Sequence, residues 1–260
     1  RTAPRRPSQS PEKADAPAPR DYKAVLAYDG TDFRGWQRQP GERTVQGVLE
    51  DAIFRITGTK AAAHGAGRTD AGVHAEGQVA SFKAKTALAG EEFFRALNAV
   101  LPADVKVVSL EQAPPGFHAR KSARSKVYQY RIYNSRKVSP FSFRYVHAFA
   151  GRLNVRAMRA AAALFVRKAD FNPFSSNRDL HPVRTVSRLE VRRKGLEILI
   201  TIEADGFLRY MVRTIVGTLL EVGRGKMTPE DIERIFLEKR RSLAGPTAPA
   251  GGLCLVRVDY

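Results

Sequence analysis

The chain has 260 residues, enough for one large domain or two small ones with an ample apolar core. Its 44 Lys and Arg outweigh 26 Asp and Glu, a formal charge of +18 at pH 7, and such an excess points to a polyanionic partner rather than to a fold. No apolar run is long enough to span a bilayer and no Lys-rich amphipathic helix dominates, so a membrane is excluded as the partner and RNA or DNA is expected.

Residues 1–20 are rich in Pro, Ala, Ser and Arg without an apolar period and read as a disordered, mildly basic tail. This tail lacks the apolar core of a secretory signal, and Glu12 and Asp15 argue against a transit peptide; it starts at Arg1, as in a processed or trimmed product. Residues 22–28 alternate and predict a first strand, followed by a polar, aromatic loop over 29–39, DGTDFRGWQRQ. Thr44 is placed to cap a helix in which Val45, Val48, Leu49, Ala52, Ile53 and Ile56 recur until Gly58. The stretch 67–82, GRTDAGVHAEGQVASF, sets Arg68, Thr69 and Asp70 between glycines before strand-like alternation resumes at Gln78. A helix over 91–100, stopped at Pro102, and a strand over 105–110 complete a first half of strand, helix, strand, helix, strand.

The second half opens with a strand over 125–134, where alternation puts Tyr128 and Tyr130 on one face. An Ala-rich helix over 155–166, a turn over 170–174 and a hairpin of 185–193 with 196–204 around Lys194-Gly195 follow. A helix over 207–222 is closed by Gly223, another begins at Thr228-Pro229, and a loop over 246–252 leads to a last strand over 253–259. The pattern predicts an α+β fold with mixed or antiparallel sheets, in two halves of similar content without a convincing internal repeat.

Chemistry concentrates in 67–82, a glycine-bearing loop held between regular elements. Gly65-Ala66-Gly67 hints at a dinucleotide loop, but the third glycine position holds Asp70, whose charge would repel a pyrophosphate. Taken alone, Arg68-Thr69-Asp70 is an ordinary turn with a capping aspartate. Arg213 adjoins the apolar stripe of Val212, Ile215, Val216 and Leu219, where an unpaired charge is costly, so a carboxylate partner is expected for it. Cys254 lies in an apolar run and reads as a small buried residue rather than a nucleophile. One cysteine allows no disulfide framework and fits a reducing, cytoplasmic compartment. His64, His74, His118, His147 and His181 lack metal-ligand spacing, so no metal is predicted. The basic runs 120–121, 192–194 and 239–241 suit a broad phosphate-binding surface that reads no sequence.

GRTDAGVH followed by GQV-x-x-F resembles the active-site signature of the TruA family of tRNA pseudouridine synthases. The resemblance extends over 22–260, through YDGT-x-aromatic-x-GWQ-x-Q at 28–39, FHAR at 117–120 and F-L-x-x-M-V-R at 207–213. It implies two α/β subdomains, 21–120 and 121–260, with mainly antiparallel sheets joined side by side around a central catalytic cleft, and a homodimer. It also implies isomerisation of uridine to pseudouridine in the anticodon stem-loop of tRNA, at positions 38, 39 and 40, without any cofactor. Asp70 then matches the catalytic carboxylate, Arg213 its cationic partner, Tyr128 the tyrosine stacked on the target base, Arg68 the arginine that holds the nucleotide out, and Leu253 an apolar contact to the base. The alternatives are a non-catalytic RNA-binding protein on this scaffold, or a pseudouridine synthase with another RNA target; a methyltransferase would need a cofactor loop, and the sequence has none.

Overall fold

The computed structural model describes residues 18–260, so most of the tail predicted over 1–20 lies outside the described residues. Arg20 is not part of that tail: it is the first residue of β1 (Arg20–Tyr28). There follow α1 (Val45–Thr57), β2 (His64–Gly65), β3 (His74–Ala84), α2 (Gly90–Val100), β4 (Val105–Gln112), β5 (Ser125–Tyr133), β6 (His147–Ala148) and α3 (Val155–Ala163). β7 (Lys168–Asp170), β8 (Val183–Lys194), β9 (Glu197–Ala204), α4 (Met211–Gly223), α5 (Pro229–Glu238) and β10 (Leu253–Asp259) complete the chain. The caps are where the side chains require them. Thr44 Oγ1 accepts the Gly47 N–H, Gly58 closes α1 in the left-handed region at φ 67°, and Thr228 and Asp231 form a reciprocal capping box at α5.

The sheets of the two halves join side by side into one, as the resemblance implies. Ten strands run in the order β4-β1-β3-β10-β5-β9-β8-β7, with β2 on β3 and β6 on β5. The seam is β10, the last strand of the chain. It pairs antiparallel with β5 of its own half and parallel with β3 of the other, through Cys254–His74 and Leu255–Ala75. Cross-strand partners share a face, so the register can be followed across the whole sheet. Val105, Tyr28, Ala75, Leu255, Tyr128, Ile202 and Leu189 stand in one row through both halves. Every member of that row is buried. The core is therefore continuous across the boundary between the subdomains, and Tyr22 meets Phe93 of α2 edge-on on this same side.

Two helices are shorter than their apolar patterns predict. α3 stops at Ala163, because Leu164, Phe165 and Val166 take tighter bonds to the carbonyls three residues back. α4 begins at Met211 rather than at residue 207, because Tyr210 sits in the left-handed region at φ 62°. The carbonyl of Arg209 turns aside to accept from Ser176 N and Ser175 Oγ. Cys254 is half-buried rather than buried, and burial still pushes its thiol up to about 12, far from a reactive thiolate.

Gly77 marks how closely the seam is packed: a Cβ there would stand 2.2 Å from the carbonyl oxygen of Val256. Gly77→Ala is expected to destabilise the protein by about 1–3 kcal/mol, as overpacking does, and to lower Tm by several degrees. Thermal unfolding checks this; a Tm within a degree of the parent would mean that β3 and β10 part there at no cost.

Candidate active site

The loop between β2 and β3 is held from three sides. Beneath it, the buried amide of Gln78 donates through Nε2 to the Gly67 carbonyl at 2.8 Å, and the hydroxyl of Tyr28 meets Thr69 Oγ1 at 2.8 Å. Beside it runs the 29–39 loop, where Trp36 N–H donates to Thr69 O at 3.0 Å and Gly72 N–H donates to Phe33 O at 3.3 Å. Gly30 permits this approach, since a Cβ there would lie 2.0 Å from the Val73 carbonyl oxygen. Thr69 is buried while Arg68 and Asp70 on either side of it stay accessible. The two sequence motifs of the first half are thus one built object, with 29–39 clamping the signature loop.

The other half supplies the cation. Arg213, in the first turn of α4, donates from Nη1 to Asp70 Oδ2 at 3.3 Å and from Nε to the Ala248 carbonyl at 2.7 Å. Its guanidinium carbon lies 4.8 Å from the Tyr210 ring centre, so the left-handed Tyr210 also braces it. The pairing expected for Arg213 is present, but it is a single contact, with the second donor spent on backbone. Asp70 Oδ1 has no hydrogen-bond partner among the described residues. Burial raises the Asp70 carboxyl above the ordinary aspartate range; Arg213 opposes that shift, by charge and by its hydrogen bond, and Arg209 adds a weaker opposing charge.

Asp70, Arg68, Tyr128, Arg213 and Leu253 all line one cleft of about 1010 Å³ between the halves. Tyr128 is 7% exposed, packs edge-on against Phe207 at 5.1 Å, and has no hydroxyl partner among the described residues. Burial holds that hydroxyl far above the usual tyrosine range, so it is a neutral donor at physiological pH. Arg68 makes no ion pair among the described residues and is exposed. Lys and Arg outnumber carboxylates along the walls, with Arg34, Arg120, Lys126, Arg184 and Arg209 joining those predicted. Of the three basic runs, 120–121 reaches the cleft through Arg120, whereas Arg192 pairs with Glu190, Lys239 with Asp170 and Arg240 with Glu238. Lys126 was legible in principle, since it shares the strand face of Tyr128 two residues on; Arg184 and Arg209 carry no local signal. No group of three or more His, Cys, Asp or Glu among the described residues is placed to hold a metal ion.

Against known proteins, residues 24–120 and 161–260 match the tRNA pseudouridine synthase family. The chain belongs to the TruA family of tRNA pseudouridine synthases. It is 43% identical to the tRNA pseudouridine synthase A of Clostridium botulinum, over 93% of this chain and 100% of that one. It is 45% identical to the Moorella thermoacetica protein of the same name, over 92% of this chain and 98% of that one. Among solved structures, an archaeal box H/ACA sRNP Nop10–Cbf5 complex aligns at 12% identity and a TM-score of 0.36, covering 88% of this chain and 58% of that one, too slight a likeness to bear on the fold. In this TruA-family chain the signature loop and the α4 arginine meet across the joint between the halves, 143 residues apart in sequence.

Arg213→Ala is expected to destabilise the protein by an amount on the order of a few kcal/mol, because it strands a carboxylate in a partly buried cleft, and to lower turnover with it. Arg213→Lys recovers part of both, since one ammonium cannot serve Asp70 and Ala248 O together. Melting curves and single-turnover rates check this; parent-like values for Arg213→Ala would mean that the pair does not matter. The raised Asp70 carboxyl sets a pH signature. Its charged form is disfavoured by folding, so stability is gained as pH falls through the raised pKa, while any reaction that needs the carboxylate is lost there. The acid limb of the pH–rate profile is expected above the ordinary aspartate range and higher still in Arg213→Gln.

Proposed function

We propose that the chain isomerises uridine to pseudouridine in tRNA, with Asp70 as its catalytic carboxylate. The observation that carries the reading is the half-buried Asp70–Arg213 pair, with Asp70 Oδ1 unpartnered among the described residues, in a cleft walled by Lys and Arg. The reaction breaks the N1–C1′ bond, turns the uracil and joins C1′ to C5. A proton leaves C5 and one is gained at N1, so atoms and electrons balance without redox partner or ATP. Asp70 acts at the sugar, either by covalent attack on carbon or by taking the C2′ proton. Both routes need the charged form, which the Arg213 contact favours. Tyr128 and Leu253 offer a flat and an apolar surface to the turned base. The Tyr128 hydroxyl, being protonated, is a donor and not a base.

A paired uridine must leave its stack before C5 is reachable. Arg68, exposed on the cleft wall and unpaired among the described residues, is suited to fill the gap left behind. The anticodon stem-loop, with positions 38, 39 and 40, is the target that the family resemblance implies. The homodimer and the cytoplasmic setting belong to the same proposal. Exposed Phe141 and Phe143 give a second copy apolar surface to cover, and no helix among the described residues is long and apolar enough to cross a membrane.

The test is pseudouridine mapping in tRNA incubated with the purified protein. Asp70→Asn is expected to keep tRNA affinity near the parent while abolishing turnover, a loss far beyond that of one hydrogen bond; turnover near the parent rate would remove Asp70 from the chemistry. Arg68→Ala is expected to slow paired stem uridines more than loop uridines, since loop bases need less unstacking. Equal slowing of both would make Arg68 a plain phosphate contact. Binding without turnover by the parent protein would leave an RNA-binding protein on this scaffold.

A further inference from the structure

Lys126 is the anomaly among the cations of the cleft. It is 8% exposed, on β5 two residues before Tyr128 and on the same face of the strand. Its Cε and Cδ pass 3.7 and 3.8 Å from where a Cβ on Gly67 would stand, so the side chain runs directly under the loop that carries Asp70. No carboxylate among the described residues is within ion-pair distance of its ammonium. Asp205 is the acid whose charge acts on it, and Asp205 Oδ1 is already engaged by the Thr185 N–H at 3.0 Å. The other charges acting on Lys126 are Arg120 and Arg184, which repel it. Nor is the ammonium sealed in the core: the one fully buried side-chain polar atom without a partner among the described residues is His147 Nδ1. Lys126 therefore opens onto the cleft that it lines.

A withdrawn, unpaired ammonium facing two guanidinium groups costs stability in the free protein. Burial and those neighbours lower its pKa, which measures the same cost. The cost is relieved when an anion arrives, and the anion must be small enough to reach a deep point beside Gly67 and strong enough to draw in Arg120 and Arg184. A phosphodiester oxygen fits, because each linkage carries one full charge and accepts from several donors. A carboxylate of the protein itself would fit too, but none among the described residues is there. Lys126 stands about 6.6 Å along the strand from Tyr128, which places the anion within about one nucleotide of the base stacked there.

We propose that Lys126 seats a phosphodiester that flanks the uridine being isomerised, with Arg120 and Arg184 closing on it from the cleft walls. This rests on reading the cleft as the uridine-isomerising site. It sets Lys126 apart from the exposed runs 192–194 and 239–241: they add affinity anywhere along the RNA, whereas Lys126 fixes one linkage and so the register of the strand against Asp70.

The experiment crosses protein and RNA substitutions. Full-length tRNA is prepared with a single methylphosphonate, which removes the charge, at either linkage flanking the target uridine. Binding and single-turnover rates are measured for the parent, Lys126→Met and Lys126→Arg. One of the two methylphosphonates is expected to weaken the parent roughly tenfold to a hundredfold, as loss of a charged hydrogen bond does. Lys126→Met should lose the same factor on unmodified tRNA, lose nothing further with that methylphosphonate, and show a salt slope shallower by about one. Lys126→Arg should recover part of the loss. Without RNA, Lys126→Met should melt above the parent, because an uncompensated charge has gone. If both methylphosphonates weaken Lys126→Met as much as the parent, the seat is elsewhere and the proposal falls. A lower melting temperature with unchanged binding would make Lys126 a structural residue and equally overturn it. Parent protein that binds tRNA but forms no pseudouridine would sink the function instead, and the crossed binding data would still decide the seat.

Discussion

A carboxylate half-withdrawn from water must be met by a positive charge or give up its own, and in this protein the two groups come from opposite halves of the chain. Asp70 leaves the β2–β3 loop and Arg213 the first turn of α4. Neither half holds the pair alone. The sheet must therefore be continuous, with β10 paired to both β3 and β5, for the loop and the helix to keep their spacing. One contact of 3.3 Å, with Arg213 also tied to Ala248 O, favours the charge without occupying both carboxylate oxygens. That compromise suits the reactive role proposed for Asp70: a bidentate clamp would bind the carboxylate more tightly and leave it less free.

Placement of the loop rests on small buried terms rather than on one large one. Tyr28 reaches it from β1, Gln78 from β3 and the Trp36 amide from the 29–39 loop, and each satisfies a group that would otherwise be buried and unpaired. Tyr28 and Tyr128 stand in the same transverse row of the sheet, with two strands between them carrying Ala75 and Leu255. The row thus delivers one tyrosine from each half to the underside of the loop. One of them is bonded to Thr69, and the other keeps its hydroxyl for the cleft.

Charge is divided in a similar way. The overall excess of Lys and Arg gives the molecule a long-range attraction for polyanions that salt will screen. Part of the exposed basic surface is locally neutralised, as in Arg188 and Arg192 on Glu190 or Arg43 on Asp104. The cleft gathers cations that have no carboxylate partner among the described residues, and depth there changes their meaning: an exposed guanidinium such as Arg68 can move to its partner, whereas the buried Lys126 can only wait for one.

The sequence by itself determined most of the elements and the residue types that line the cleft. Local periodicity and caps were enough for β1, α1, α2, the β8–β9 hairpin and β10, because those signals act within a few residues. The signature loop, Tyr128, Arg213 and Leu253 were legible because their residue types sit in patterned, specific strings. Tertiary structure alone decided that β10 is the strand that joins the two sheets, that Tyr210 breaks the predicted start of α4, and that Lys126, Arg184 and Arg209 face the same cleft as Asp70. Those outcomes depend on pairings between strands and on side chains tens to hundreds of residues apart. The period of a strand says which residues share a face, but not which strand will lie beside it, nor which charge will be left without a partner once the faces close.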